Sequence, residues 1–244
     1  MTRDITKLTN EEIEKLDIFE VFNILGELSS RPIPDIEDNA GKAIAEAIFQ
    51  KSLLYLLEKR FQRILEDILF TETDTVYYIL RNFGIEGSIF FNGNKVFISD
   101  SNINKFFQNY EKITKLLNIY NYQISFYSNY LYSKEILLPL DFYKEYRIFE
   151  KYVPNTEIKD KIIMEKVIVY FLLKKITNSN DIFISLDENR VFLKAYGIYK
   201  YKTKSLKEVA ELFEYIIITP DVIITKNDII PNWTEYAKYL KIKC

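Results

Sequence analysis

Apolar residues recur every third or fourth position over residues 9–28, where Ile13, Leu16, Phe19, Val21, Phe22 and Leu25 form one stripe. They do so again over 40–70, through Ile44, Ile48, Leu54, Leu57, Phe61, Leu65 and Ile68. That period predicts two amphipathic helices. Thr9 and Glu12 have the spacing of a capping box for the first helix. The run from Ser29 to Pro34 breaks it, and Asp38 or Asn39 is placed to cap the second. Residues 1–70 therefore read as a helical N-terminal segment. It is expected to pack as an arm on the rest of the chain, or to offer a face to a protein partner or a second copy.

Beyond residue 70 the period changes repeatedly. A helix over 73–84 ends at Gly84-Ile85-Glu86-Gly87 and passes into strands at 87–91 and 95–99 joined by Asn92-Gly93, a strong hairpin signal. Next come a helix at 102–118, strands at 121–126 and 129–133 and a helix at 136–151. The same order then recurs: helix 157–177, strands 181–186 and 190–202, helix 205–215, strands 216–219 and 221–225, helix 229–241. Local likenesses support the pairing. Val76-Tyr77-Tyr78-Ile79-Leu80 matches Val169-Tyr170-Phe171-Leu172-Leu173, Ser88-Ile89-Phe90 matches Asp181-Ile182-Phe183, and Asn94-Lys95-Val96-Phe97 matches Asn189-Arg190-Val191-Phe192. An internal repeat of the order αββαββα is a stronger signal than any single motif.

A helix ending Gly-x-Glu-Gly-Ser-Ile, a hairpin, a helix and a closing Ser133-Lys134-Glu135-Ile136 resemble one repeat of the LAGLIDADG homing endonucleases, over residues 73–244. The resemblance implies an α+β fold of two tandem αββαββα repeats, 71–152 and 153–244, related by a pseudo-twofold and preceded by the helical segment. It also implies motif helices that meet at their ends, a sheet saddle on double-stranded DNA, and acidic residues holding Mg²⁺ for phosphodiester cleavage. Glu86 takes the acidic position of the first motif. The second motif departs from the pattern: Ser179 stands where Glu86 has its counterpart, and Asp181 follows two residues later as the other candidate metal ligand. Arg81 occupies a position that the family fills with a small residue. The expectation is a DNA-binding protein, with cleavage by Glu86 left open. The alternative is a non-catalytic structural or interaction protein of a virus or mobile element that works through its N-terminal helices.

Composition narrows the chemistry. The chain has no histidine, which removes histidine acid–base catalysis, Ser-His-Asp and Cys-His nucleophiles and histidine-ligated metals. Its single cysteine, Cys244, excludes a disulfide framework, and with the charged start of the chain suggests an intracellular, cytoplasmic place. No apolar run is long enough for a membrane span, so no membrane partner is expected. The net charge of −2 divides unevenly, with 9 Lys/Arg against 14 Asp/Glu in residues 1–70. From 190 to 207 there are cations and no acids: Arg190, Lys194, Lys200, Lys202, Lys204 and Lys207. On a regular strand Arg190, Phe192, Lys194, Tyr196, Ile198, Lys200 and Lys202 share one face and Val191, Leu193, Ala195 and Gly197 the other, which suits phosphate contacts in front and packing behind.

Overall fold

The N-terminal segment forms because its caps are written locally. The computed structural model describes residues 4–99, 103–126, 152–154, 157–194 and 202–232. After a 3-10 turn at Ile5–Lys7, helix α1 (Asn10–Ile13) starts on the expected Thr9/Glu12 capping box. The expected single helix over 9–28 is in fact two. Asp17 accepts from the Glu20 N–H while the Glu20 carboxylate reaches back to the Asp17 N–H, and this second capping box starts α2 (Ile18–Ser30). Helix α3 (Ile36–Asp67) contains a kink at Asn39, whose φ of −160° is not helical. The Asn39 carboxamide accepts from the Lys42 N–H, so its cap role holds. Helices α1 and α2 pack on α3, burying Leu16, Val21, Ile24 and Leu28 with Leu57, Phe61 and Leu65. Phe22 meets Phe61 edge-on at 5.5 Å, and Arg60 donates to the Leu16 carbonyl at 2.8 Å.

Helix α4 (Glu72–Asn82) is capped by Thr71 and Asp74. It ends where Gly84, at φ +80°, lets the Ile85 N–H return to the Leu80 carbonyl. Strands β1 (Ser88–Asn92) and β2 (Lys95–Ser99) pair antiparallel around Gly93, whose φ of +58° suits the tight turn. Helix α5 (Ile103–Ile119) crosses over to β3 (Gln123–Phe126), which pairs parallel with β2. Helix α6 (Lys161–Thr177), capped by Asp160, leads to β4 (Ile182–Ile184) and β5 (Arg190–Leu193), an antiparallel pair. Helix α7 (Thr203–Phe213) crosses over to β6 (Ile216–Ile218), parallel to β5, and the chain continues into β7 (Val222–Ile224) and β8 (Ile229–Pro231). The fold is thus α+β, with a three-stranded sheet β1-β2-β3 and a five-stranded sheet β4-β5-β6-β7-β8.

Two expectations fail here. The strand over 190–202 stops at Leu193 among the described residues, and Lys202 immediately precedes α7. Residues 229–231 start no helix. The Thr225 hydroxyl accepts from the Asn227 and Asp228 N–H groups, turning the chain so that Ile229–Pro231 pairs with β7. Pro231 is tolerated because this strand lies at the sheet edge. The expected strand 129–133, helix 136–151 and the remainder of helix 229–241 lie outside the described residues, as does Lys200.

The two sheets agree in detail. Ile89 and Phe90 face Ile98 and Phe97, as Ile182 and Phe183 face Leu193 and Phe192. Lys95 faces Gln123 as Arg190 faces Ile216. The Gln123 N–H donates to the Asn94 carbonyl and the Ile216 N–H to the Asn189 carbonyl, each at 2.9 Å. Both crossover helices end on a left-handed residue, Asn121 and Glu214. Each precedes a tyrosine whose N–H returns to the helix, Tyr122 to Leu117 and Tyr215 to Ala210.

Helices α4 and α6 pack against each other, antiparallel. Glu72, in the first turn of α4, forms an ion pair with Lys175, in the last turn of α6. Phe70 stacks between Tyr78 of α4 and Phe171 of α6, at 5.3 and 5.2 Å. The buried Tyr78 hydroxyl accepts from the Ile158 N–H at 3.1 Å, and burial pushes its pKa up to about 12. Buried residues of the N-terminal helices and of both helix–sheet units form one continuous core.

Candidate nucleic-acid interface

Alternation along β5 sorts its side chains as the sequence predicts. Val191 and Leu193 are buried against the helices, while Arg190, Phe192 and Lys194 point outward. Phe192 is 43% exposed. Its cross-strand neighbour Phe183 lies 6.3 Å away, ring centroid to ring centroid. The register carries this outer row onward through Ile218, Ile223 and Ile230 on the other three strands. Phe183 was not singled out by sequence. The signal lay in the alternation Ile182-Phe183-Ile184, which sets the central ring on the face opposite two buried isoleucines.

The expected cations divide. Arg190 is half exposed and pairs with Glu188 at 2.9 Å. Such a surface pair is worth under about 1 kcal/mol, so a phosphate can take the guanidinium over. Lys194 is exposed, and its backbone N–H donates to the Asp181 carbonyl at 3.0 Å, closing the hairpin. Lys202 is not on the strand face. Its ammonium donates to the Thr177 carbonyl at 2.8 Å and ties the start of α7 to the end of α6. Lys204 is exposed on the first turn of α7. Arg190 and Lys194 thus share one strand face, and Lys202 and Lys204 belong to another element.

The two acidic candidates do not come together. Glu86 is exposed beyond the C-terminal end of α4, and the Arg81 guanidinium spans that turn through the Ile85 and Gly87 carbonyls at 2.6 and 2.9 Å. Arg81 is therefore a brace of the turn, which a small residue could not be. Asp181 is exposed beyond the C-terminal end of α6, beside Glu66 and Gln62 of α3. Because the helices are antiparallel, these two ends lie apart by about the length of α4, roughly 16 Å at ~1.5 Å per residue. Two carboxylates at that distance cannot share one Mg²⁺, whose oxygen ligands sit at ~2.1 Å. Among the described residues no group of three or more acidic or cysteine side chains could hold a metal ion. No described helix is long and apolar enough to cross a membrane.

Comparison with protein families, curated proteins and solved structures finds no match to this chain.

Proposed function

We propose that the protein binds nucleic acid, with duplex DNA as its ligand, through the outer face of the β4–β5 hairpin, and that it does so without cleaving it. The observation that carries this reading is the outward row Arg190, Phe192 and Lys194 on one short strand. Two cations four residues apart stand about 13 Å apart along the strand, at ~3.3 Å per residue, so each can meet a different phosphate. The separation of Glu86 from Asp181 supports binding rather than Mg²⁺-dependent hydrolysis. The matching registers of the two sheets support descent from a tandem duplication with a pseudo-twofold between α4 and α6. An intracellular place accords with DNA as ligand.

Fluorescence anisotropy of a labelled duplex at low salt tests this directly. Arg190→Ala with Lys194→Ala should weaken binding similarly for all sequences. It should also flatten the slope of log K against log salt by about 0.9 for each phosphate no longer neutralised. Unchanged affinity and slope in a folded double variant would remove the reading. A second reading has its own observation. Ile44, Ile48 and Tyr55 form an exposed apolar stripe on α3, which fits a scaffold that meets a protein partner through its N-terminal helices.

A further inference from the structure

The β4–β5 loop meets the N-terminal helices through a small cluster of polar groups. Glu58 Oε1, on α3, lies 2.8 Å from the Ser185 hydroxyl oxygen and accepts from the Leu186 N–H at 3.2 Å. Asp187 Oδ1 lies 2.7 Å from the same hydroxyl oxygen. Ser185 is 7% exposed and Glu58 is half-buried, whereas Asp187 is at the surface.

A serine hydroxyl has one proton to give, and ionised carboxylates only accept. Once the Ser185 proton is on one contact, the other carboxylate oxygen faces a lone pair at hydrogen-bond distance. A second proton removes the conflict. One carboxyl is then neutral and donates to Ser185, while Ser185 donates to the other. Glu58 Oε1 already takes the Leu186 N–H, so it suits the accepting role and Asp187 the donating one. The proton nonetheless belongs to the pair, because the two carboxyls titrate together.

The surrounding charges favour keeping it. Lys166 of α6 is 3% exposed, and its ammonium donates to the Ser185 and Glu188 carbonyls at 2.7 and 3.3 Å. That ammonium faces Glu58, Asp187 and, on its own helix, Glu165, so one positive charge stands against three carboxyls. Glu188, next in the loop, pairs with Arg190. Burial pushes the Glu58 carboxyl above its usual pKa and the Asp187 charge adds to this, against the bonds from Ser185 and Leu186 and the Lys166 ammonium. The first unit is built differently. There α4 carries Thr73 where α6 carries Lys166, and a tight turn joins β1 to β2.

We propose that Glu58 and Asp187 share one proton through the Ser185 hydroxyl, and that this proton fastens the β4–β5 loop to α3 as a pH-sensitive latch. Two carboxyls in one site lose their last proton above the ordinary carboxylate range. The closed loop therefore holds a proton that the open loop has given up. The fastening is complete at acid pH and is lost as pH rises through the upper pKa of the pair. On ionisation Asp187 turns to water and the loop opens more often. None of these groups belongs to the outward row Arg190, Phe192 and Lys194, so the latch stands apart from nucleic-acid binding.

Native-state amide hydrogen exchange of the full chain, read as protection factors from about pH 4 to 8, tests the latch. The Leu186 amide reports the loop directly, and the β2 amides report global opening. Leu186 protection should fall about tenfold more than that of β2 across this range. Asp187→Asn, at an exposed position, gives Ser185 a permanent donor. It should abolish the extra fall and hold Leu186 at its acid-pH protection. Glu165→Gln should leave the extra fall in place, which separates the pair from the neighbouring carboxyl. A Leu186 fall no larger than that of β2 would overturn the proposal, as would an extra fall that survives in Asp187→Asn or vanishes in Glu165→Gln.

Discussion

The two helix–sheet units run the same register and differ in how their side chains are covered. In the first, Phe97 on the outer sheet face is 3% exposed; in the second its counterpart Phe192 is 43% exposed. In the first, Tyr122 is bonded to Thr73; in the second Tyr215 has no partner among the described residues and Lys166 reaches elsewhere. Backbone pairing, caps and crossovers agree because they satisfy main-chain hydrogen bonds that any such unit must make. Side chains that carry no such duty differ. The second sheet exposes, between Arg190 and Lys194, an aromatic ring whose counterpart in the first sheet is buried.

The largest expected difference lies at Thr73 and Lys166. Lys166→Ala removes a bond to the buried Ser185 carbonyl and one to the Glu188 carbonyl and leaves a void, for a loss of about 3 kcal/mol in denaturant unfolding. Thr73→Ala should cost about 1 kcal/mol, the value of one ordinary bond. Equal losses would mean that Lys166 does not anchor the β4–β5 loop.

Nucleic-acid binding should show the next largest contrast. Arg190→Ala should weaken duplex binding about tenfold at low salt, while Lys95→Ala, its equivalent in the first sheet, should change it less than twofold. A stronger effect at Lys95 would move the interface to the other sheet.

Tyrosine hydroxyls give a smaller effect of opposite sense. Tyr122→Phe should cost about 1 kcal/mol, and Tyr215→Phe should cost nothing or stabilise slightly, because it deletes a hydroxyl without a partner. A clear loss in Tyr215→Phe would reveal a hydrogen bond at that hydroxyl.

The smallest effect concerns pH. Burial raises the folded-state pKa of Glu165 above its usual value, so the folded chain holds that proton more tightly than the unfolded chain does. The stability this gives is complete below the ordinary glutamate pKa and is lost as pH rises through the raised one. Glu165→Gln should flatten the fall in stability with rising pH across that window, measured by unfolding at a series of pH values.

The sequence alone determined what depends on near neighbours along the chain. The Thr9/Glu12 box, a cap at Asp38 or Asn39, the Asn92-Gly93 hairpin and the alternation of Arg190, Phe192 and Lys194 were legible because each is decided within a few residues. So was the order of helices and strands from α4 through β3 and again from α6 through β7, which rests on apolar periods. The break at Asp17 was not legible, since a long apolar stripe hid a second capping box. Nor was the end of β5 at Leu193, because alternation continues in the letters beyond it. Only the tertiary structure decided how the units meet. Whether α4 and α6 run antiparallel depends on side chains a hundred residues apart, such as Glu72 and Lys175, and that choice sent Glu86 and Asp181 to opposite ends. It also decided that Lys202 serves a helix end, that Lys166 is buried within an apolar helix, and that Tyr215 is left without a partner. Burial and pairing of a polar group are set by what packs over it, and that partner comes from distant sequence.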